Sequence, residues 1–212
     1  LAAGAGTRMR STTPKPLHEV GRSPLLAHVL STARALRPAR LTVVVSREAD
    51  GVTEAARARA PDVEVVIQHP PQGTGHAAQI AAARLHDFGG VVVVLYADTP
   101  LLRPETIARL RGAVEAGAAV AALGVEAAEP AGYGRLVVDS AGGLARIVEA
   151  RAATEQERAI RLCNSGVMAF AWPDAAPWLE GLSNDNAKGE YYLTDLVAAA
   201  RAAGRGAAVA LC

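Results

Sequence analysis

The sequence predicts an α/β protein with a Rossmann-like, mostly parallel sheet, helices on both faces and a smaller antiparallel lobe. Three observations predict this fold. Apolar, β-branched runs alternate with helical patterns over the first 125 residues, the run VVVVLY at 91–96 is almost entirely apolar, and the glycine-rich segment LAAGAGTRM opens the chain. Alternating strands and helices build a parallel sheet, and a run of this kind suits a strand that is buried on both faces.

The first half of the chain predicts strands and helices in turn. Apolar residues recur at helical spacing from Leu25 to Leu36, and Ser23-Pro24 before them is typical of a helix start with proline at its first position. The other elements follow the same alternation; they are strands at 41–46, 63–68, 91–96 and 118–125 and helices at 48–60, 74–86 and 104–116.

The pattern changes after about residue 126. The segment GYGRLVVD, a Gly142-Gly143 turn and the segment LARIVEA indicate antiparallel strands. Thr154 and Glu157 have the spacing of a capping box and predict a short helix. The remaining predicted elements are a strand at 167–171, a helix that begins at Thr194-Asp195 and a strand at 207–211. We expect one domain over residues 1–212.

Composition limits the classes of function. Half of the 212 residues are apolar and the formal net charge is +1, so no basic surface indicates nucleic-acid binding. Cys163 and Cys212 do not make a disulfide framework, which favours a reducing cytoplasm. The longest apolar run, 91–97, is too short to cross a bilayer, so no membrane partner is expected. Because a strand is expected before a phosphate loop, we expect the chain to be truncated at its N-terminus. We expect truncation at its C-terminus as well.

The opening loop has the composition of a polyphosphate site. Small residues and glycines leave backbone N–H groups free to face phosphate oxygens, and Arg8 and Lys15 add two cations. The loop is not a P-loop, and Met9 stands where a dinucleotide fingerprint has its third glycine. The sequence therefore predicts a nucleoside triphosphate site. The alternative is an ordinary glycine turn with two solvated cations.

Asp98 is the carboxylate that the pattern places at a metal. It follows the apolar run 91–96, and ligands of parallel sheets bind beyond the carboxyl ends of the strands. Magnesium prefers one or two carboxylates together with substrate phosphates. The alternative is an Asx turn or a helix cap ahead of Pro104.

Other polar residues also follow predicted strands. The carboxamide of Gln68 could contact a nucleobase edge, and Gly73-Thr74-Gly75 could be a ligand contact or simply a helix N-terminus. Glu149 and Asn164 could orient sugar hydroxyls or could be exposed strand ends. For each of these residues both interpretations stay open at this point.

The motifs together resemble the sugar-nucleotide pyrophosphorylases. LAAGAGTRM with TTPKPLHEV is similar to their signature loop, and QGTGHA, LYADTPLL, GYGR, IVEA, NSG and NAKGEYYLTDL follow in the order of the bacterial N-acetylglucosamine-1-phosphate uridyltransferases. The resemblance covers essentially the whole chain and implies a nucleotide-diphospho-sugar transferase fold, with a nucleotide-binding half at about 1–125 and a sugar-binding lobe at about 126–212.

The resemblance also implies roles for individual residues. Arg8, Lys15 and Asp98 would be catalytic, with Asp98 on Mg²⁺. The residues implied to contact substrate are Leu1, Ala2, Ala3, Gly4, Gln68, Gly73, Thr74, Tyr96 and Ala97 on the nucleotide side and Gly134, Glu149, Asn164, Tyr192 and Thr194 around the amino sugar. The implied partners are UTP and N-acetylglucosamine 1-phosphate, and the implied product, UDP-N-acetylglucosamine, is a precursor for cell-wall and lipopolysaccharide synthesis.

The sequence departs from the family pattern at a few positions. Ala97 replaces the usual glycine before the aspartate, and Ser165 replaces the usual threonine or alanine between Asn164 and Gly166. The resemblance also implies a second metal ligand, an asparagine, just beyond Cys212. In bifunctional members a left-handed β-helix with an acetyltransferase follows and forms a trimer, so a homotrimer is implied only if that domain follows. The alternatives are a pyrophosphorylase for another sugar phosphate or nucleotide and a non-catalytic nucleotide-sugar sensor.

Overall fold

A computed structural model describes residues Leu1–Gly4, Gly6, Met9–Arg47, Ala49 and Gly51–Cys212. The strands in these residues are β1 (Glu19–Val20), β2 (Ser23–Pro24), β3 (Thr42–Ser46), β4 (Glu64–Gln68), β5 (Val91–Val94), β6 (Val120–Glu126), β7 (Arg135–Val138), β8 (Leu144–Val148), β9 (Leu162–Ala171) and β10 (Ala207–Leu211). The helices are α1 (Leu25–Ala35), α2 (Val52–Arg59), α3 (Thr74–Ala82), α4 (Pro104–Glu115), α5 (Glu155–Arg158), α6 (Ala175–Glu180) and α7 (Leu196–Ala202). Short 3-10 turns occur at Lys15–Leu17 and Leu193–Asp195.

The chain forms two compact units that are interleaved in sequence. Unit 1 contains Leu1–His86, Leu95–Glu105 and Ser183–Tyr192. Unit 2 contains Asp87–Val94, Thr106–Leu182 and Leu193–Cys212. The functional division expected near residue 125 stays a prediction.

Unit 1 has a small parallel sheet with helices on both faces. β3 pairs in parallel with β4, and Ala2 forms a parallel bridge with Val45. Side chains alternate across a strand, and here Val43 and Val45 belong to a hydrophobic cluster with α1 and α2, whereas Val44 belongs to a second cluster with residues of α3. The predicted βα alternation therefore gives two helical layers within this unit.

Unit 2 contains a six-stranded mixed sheet. Its order is β10-β6-β9-β7-β8, and β5 also pairs with β9. β6 and β10 are parallel, whereas β9 is antiparallel to β5, β6 and β7. The expected parallel direction of the run at 91–96 is therefore corrected for β5, whose neighbour in this sheet is β9. Apolar composition reports burial, but strand direction depends on which distant strand becomes the neighbour.

The core of unit 2 lies along β6 and β9. Val120–Leu123 and Val167–Ala169 are fully buried at consecutive positions, so the sheet is covered on both faces at its centre. A Cβ on Gly124 would lie 2.9 Å from side-chain atoms of both Leu162 and Val209, which explains why glycine occupies this crowded position.

Several element bounds differ in detail from the sequence predictions. Ser23-Pro24 pairs with β1 as a hairpin strand, and the helix begins only at Leu25. The predicted helix at 48–60 begins at Val52, after Gly51 with φ of +77°; Glu48 and Asp50 lie outside the described residues. The capping box at Thr154 is confirmed, with the Thr154 hydroxyl and the Glu157 carboxylate each accepting the predicted backbone hydrogen bond. In the part of the chain that is described, no helix has the length and apolar content needed to cross a membrane.

Candidate active site

Hydrogen bonds place the first residues of the chain between β3 and the segment 95–97 of unit 1. The Ala2 N–H donates to the Val44 carbonyl at 2.8 Å. On the other side, the Leu1 nitrogen donates to the Leu95 carbonyl at 2.5 Å, and the Ala97 N–H donates to the Leu1 carbonyl at 2.9 Å. The first two residues and the segment that leads to Asp98 therefore run side by side within unit 1.

Glycine is required in the opening loop beside Lys15. Gly6 has φ of +60°, and a Cβ there would lie 2.8 Å from the Cβ of Lys15, so the chain passes close against the lysine stem. Among the described residues, no atom lies within 4 Å of a Cβ added to Gly4, and Gly4 is exposed. Arg8, the other predicted cation of the loop, lies outside the described residues.

Lys15 and Asp98 form an ion pair although they are 83 residues apart in sequence. The Lys15 Nζ donates to Asp98 Oδ2 at 2.5 Å, and the two side chains keep 30% and 40% of their surface exposed. Charge-assisted hydrogen bonds are among the stronger polar contacts in proteins. The structure thus brings together two of the three residues that the sequence predicts to be catalytic.

The donor set at Asp98 fits a metal that shares its ligands with phosphate. Within the described ranges, no three His, Cys, Asp or Glu residues come close enough to hold a metal ion by themselves. A single exposed carboxylate at a strand end leaves positions for phosphate oxygens and water, as magnesium requires. Thr99 turns back behind it, with its hydroxyl donating to the Tyr96 carbonyl at 2.8 Å.

Gln68 is the most deeply buried polar residue of the nucleotide-side group. It is 3% exposed, and its Nε2 donates to the Gly73 carbonyl at 2.9 Å and lies 3.3 Å from His76 Nδ1. In this arrangement the carboxamide holds the turn before α3. Contact with a nucleobase edge stays a prediction for this residue.

The turn at Gly73 packs directly against the segment Ser183–Tyr192. The Gly75 N–H donates to the Tyr191 carbonyl, and the Tyr191 N–H donates to the Gln72 carbonyl, both at 2.8 Å. Gly73 has φ of +97°, and a Cβ there would lie 2.6 Å from the Tyr191 carbonyl oxygen. This close approach is the physical reason for glycine at position 73.

Tyr96 is held as a neutral phenol. Burial raises the pKa of Tyr96 to about 12; the negative charge of Asp98 adds to this effect, and a hydrogen bond from Thr74 opposes it. The next residue, Ala97, is 6% exposed and belongs to the hydrophobic cluster that contains Ala2 and Leu26. Its methyl group, the departure from the family pattern, is therefore accommodated in the core of unit 1.

Gly134 and Asn164 are neighbours in unit 2. The Asn164 N–H donates to the Gly134 carbonyl at 2.8 Å, and the Asn164 Oδ1 accepts the Gly166 N–H at 3.0 Å. A Cβ on Gly134 would lie 3.7 Å from the Asn164 Cβ. Asn164 was expected at the beginning or end of a strand, but it lies inside β9, which is longer than predicted.

Glu149 lies near the residue that follows Thr194. Glu149 is exposed at the end of β8. Partial desolvation of the Asp195 carboxyl, together with the nearby negative charge of Glu149, raises the pKa of Asp195. The structure therefore places two of the predicted sugar-side positions, Glu149 and Thr194, in one region of unit 2, and Asp195 is an additional acidic residue there.

Arg135 is a buried residue whose role the sequence analysis missed. It is 3% exposed, and its guanidinium donates to the Tyr133 carbonyl and, at 3.4–3.5 Å, to the carbonyls of Pro130, Ala131 and Arg158. Arg135 thus holds the loop that leads to Gly134. An arginine in a strand looks like a solvated residue in sequence, and only its place in the GYGR motif could have suggested more.

The fold and these polar groups define a class: an α/β nucleotidyltransferase with a glycine-rich loop, a lysine and a strand-end aspartate in one unit. The chain belongs to the MobA-like NTP transferase domain family, whose model matches residues 1–162. It is 51% identical over 212 residues to the bifunctional protein GlmU of Cereibacter sphaeroides, and 50% identical over 210 residues to that of Xanthobacter autotrophicus. These alignments cover 100% and 99% of this chain but 46% and 47% of the relatives, so the chain spans about half of their length.

Solved structures share the fold at low sequence identity. An apo UDP-glucose pyrophosphorylase superposes with a TM-score of 0.75 at 18% identity, with 99% of this chain and 88% of that chain covered. A nucleoside-diphosphate-sugar pyrophosphorylase from Vibrio cholerae gives 0.73 at 16% identity, with 99% and 89% covered. The predicted α/β fold class and the predicted family resemblance are confirmed.

Proposed function

We propose that the chain transfers a uridylyl group from UTP to N-acetylglucosamine 1-phosphate, with Mg²⁺, giving UDP-N-acetylglucosamine and pyrophosphate. One observation carries the proposal: the Lys15–Asp98 pair at 2.5 Å lies beside a glycine-rich loop, in a chain about half identical to bifunctional GlmU proteins over its whole length. The same relationship supports a supply of precursors for cell-wall and lipopolysaccharide synthesis.

The reaction requires no general base. A phosphate oxygen of the sugar 1-phosphate attacks the α-phosphorus of UTP, and the bond between that phosphorus and the bridging oxygen of pyrophosphate breaks. The nucleophile is already anionic, so the main obstacle is charge repulsion. Two like charges at 4 Å repel by about 4 kcal/mol at an effective dielectric constant of 20.

The residues of unit 1 would reduce this repulsion. Lys15, which pairs with Asp98 in the structure, would turn its ammonium group to a phosphate, and the loop amides would contact the other oxygens. Arg8 would add a second cation. When bound by Asp98, Mg²⁺ would supply further neutralisation of the phosphate charge.

The sugar-side residues would give selectivity. We propose that Gly134, Glu149, Asn164, Tyr192 and Thr194 contact the amino sugar. A site built to hydrogen-bond a substituent rejects substrates that leave its polar groups unpaired. N-acetylglucosamine 1-phosphate should therefore have a higher kcat/KM than glucose 1-phosphate.

The proposal also includes a cellular location and an oligomeric state. Cys163 is buried and Cys212 exposed, and both are free thiols, which supports a cytoplasmic setting. A homotrimer is proposed only for a chain in which a β-helix domain follows.

Nucleotide-sugar formation across a small substrate panel tests the proposal. UTP and dTTP would each be paired with N-acetylglucosamine 1-phosphate and glucose 1-phosphate, and pyrophosphate release would be measured across a magnesium titration. We expect the highest kcat/KM for UTP with N-acetylglucosamine 1-phosphate. A preference for another pair would identify a different pyrophosphorylase, and binding of nucleotide sugar without turnover by any pair would identify a sensor.

A further inference from the structure

The chain uses lysine at two positions only. Among its 22 basic residues other than histidine, Lys15 and Lys188 are lysine and the rest are arginine. The surface ion pairs of the described residues show the same preference, because Arg34, Arg146 and Arg201 supply the cation to Asp62, Glu157 and Asp139. Because the sequence uses arginine at every other such position, the two lysines are candidates for positions where the chemistry of the side chain matters.

Both lysines lie in unit 1. Lys15 follows the opening loop and pairs with Asp98, whereas Lys188 lies in the segment Ser183–Tyr192. Lysine differs from arginine in presenting a compact ammonium on a flexible stem, which suits a point contact with a phosphate oxygen. The proposed function has already used Lys15 in this way, but it assigns no role to Lys188.

A turn built around Asn186 holds the backbone of Lys188. The Asn186 Oδ1 accepts the N–H groups of Lys188 at 3.1 Å and Glu190 at 3.3 Å, and its Nδ2 donates to the Glu190 carbonyl at 2.6 Å. The Gly189 N–H closes the turn on the Asn186 carbonyl at 3.0 Å. These bonds are internal to the segment, so its shape does not depend on a bound substrate.

The side chain of Lys188 lies beside the ring of Tyr192. Its Nζ is 6.0 Å from the ring centroid, at the outer range of a cation–π contact, and the residue is exposed to solvent. Tyr192 is one of the residues proposed to contact the amino sugar. The cation therefore lies next to a proposed sugar contact, where the 1-phosphate of the same substrate would carry negative charge.

We propose that Lys188 binds the phosphate of the sugar 1-phosphate and so contributes to selection of the acceptor substrate. This inference rests on the proposed function, because it takes the sugar phosphate as the ligand. In this role Lys188 increases affinity for the acceptor, whereas Lys15 faces the triphosphate. Asn186 is the positioning residue that holds the lysine in place.

Equilibrium binding of the acceptor tests the inference directly. Calorimetric titration with N-acetylglucosamine 1-phosphate, and separately with uncharged N-acetylglucosamine, would compare wild type, Lys188→Gln, Lys188→Arg and the control Arg57→Gln, an exposed arginine on α2. We expect Lys188→Gln to lower the affinity for N-acetylglucosamine 1-phosphate about tenfold and to leave the affinity for uncharged N-acetylglucosamine unchanged. The affinity of Lys188→Arg for the phosphorylated sugar should lie between those of wild type and Lys188→Gln. Equal affinity of wild type and Lys188→Gln, or no measurable binding by wild type, would overturn the inference.

Kinetics separate this inference from the proposed function. For Lys188→Gln we expect a higher KM for the sugar phosphate, with kcat and the KM for UTP within about twofold, and a weaker dependence of the acceptor KM on salt. A change in kcat alone would contradict an acceptor-binding role. Wild-type protein that binds the sugar phosphate through Lys188 but forms no nucleotide sugar would refute the proposed function and leave the inference standing.

Discussion

The two units of the molecule hold their polar side chains in different ways. In unit 1 the charged groups Lys15 and Asp98 lie on loops and pair with each other over a sequence distance of 83 residues. In unit 2 they lie in or directly beside the mixed sheet, as Asn164 does within β9 and Arg135 does in β7. Unit 1 therefore keeps its charged groups where they can exchange partners, whereas unit 2 uses polar groups to fix the backbone. Substitution of the Lys15–Asp98 pair should therefore affect turnover, whereas substitution of the buried Arg135 should affect stability.

Asp98→Asn should have the largest effect and should act on turnover alone. The substitution removes the charge that holds Lys15 and the proposed metal, so we expect kcat to fall by about 100-fold or more. Because the side chain is 40% exposed, Tm should change by less than about 2 °C. Steady-state assays across a magnesium titration, with thermal melts of the same samples, check both. A large fall in Tm would contradict the proposed contrast between the units.

Arg135→Ala should be the strongest test in unit 2. It leaves the carbonyls of Tyr133 and Arg158 without their buried donor, and we expect a loss of about 3 kcal/mol in the free energy of unfolding. The control is Arg146→Ala, which breaks a pair with Glu157 from a side chain that is 56% exposed and should therefore destabilise the protein much less than Arg135→Ala. Urea denaturation of the two variants measures the difference. Equal losses would show that the buried guanidinium does not stabilise the loop.

Gly73→Ala tests whether close packing around the turn at Gly73 contributes to the stability of unit 1. The new Cβ would lie 2.6 Å from the Tyr191 carbonyl oxygen, and alanine would have to adopt φ of +97°. We therefore expect the free energy of unfolding to fall by about 2 kcal/mol. Gly189→Ala is the matched control in the segment Ser183–Tyr192, because φ there is +64° and no atom of the described residues lies within 4 Å of the new Cβ. The free energy of unfolding of Gly189→Ala should fall by about 1 kcal/mol. If both variants unfold at the same urea concentration, close packing does not explain the glycine.

Asp195→Asn should have the smallest effect, and it should stabilise the protein. The pKa of Asp195 is raised, so its ionised form is disfavoured in the folded state, and a neutral amide should raise Tm at pH 7 by about 1 °C. The gain should disappear as the pH falls below the usual range of an aspartate, where the wild-type carboxyl is neutral as well. Melts at pH 7 and at about pH 3 would show this dependence. A lower Tm at pH 7 would indicate that the carboxylate contributes a stabilising contact.

Local elements were predictable because their signals lie within a few residues. The helix after Pro24, the capping box at Thr154 and the last strand at 207–211 were each recognised from short patterns. The antiparallel pairing of β5 with β9 was not, because direction depends on a neighbour more than 60 residues away, as the pairing of Val91 with Ala171 shows. The α6 helix was also missed, since its six residues are too few for a clear period.

The candidate site was predictable as a set of residues more than as an arrangement. Glycines and cations in the opening loop indicated phosphate, and the structure brings Lys15 to Asp98. The sequence did not show that Gln68 is buried against Gly73, or that Ser183–Tyr192 packs in unit 1 away from its sequence neighbours. Both facts depend on tertiary contacts that a single sequence does not encode locally.

The interleaving of the two units has a consequence for synthesis on the ribosome. Tyr191 supplies both backbone partners of the Gln72–Gly75 turn, so unit 1 stays incomplete until the chain has emerged well beyond residue 190. During that interval the turn at Gly73 lacks the segment that supplies its backbone partners, although α1, β3 and β4 were made long before. Nascent chains that stall ahead of Ser183 should therefore be cut by proteases near residues 72–75, and chains released after Tyr192 should resist them.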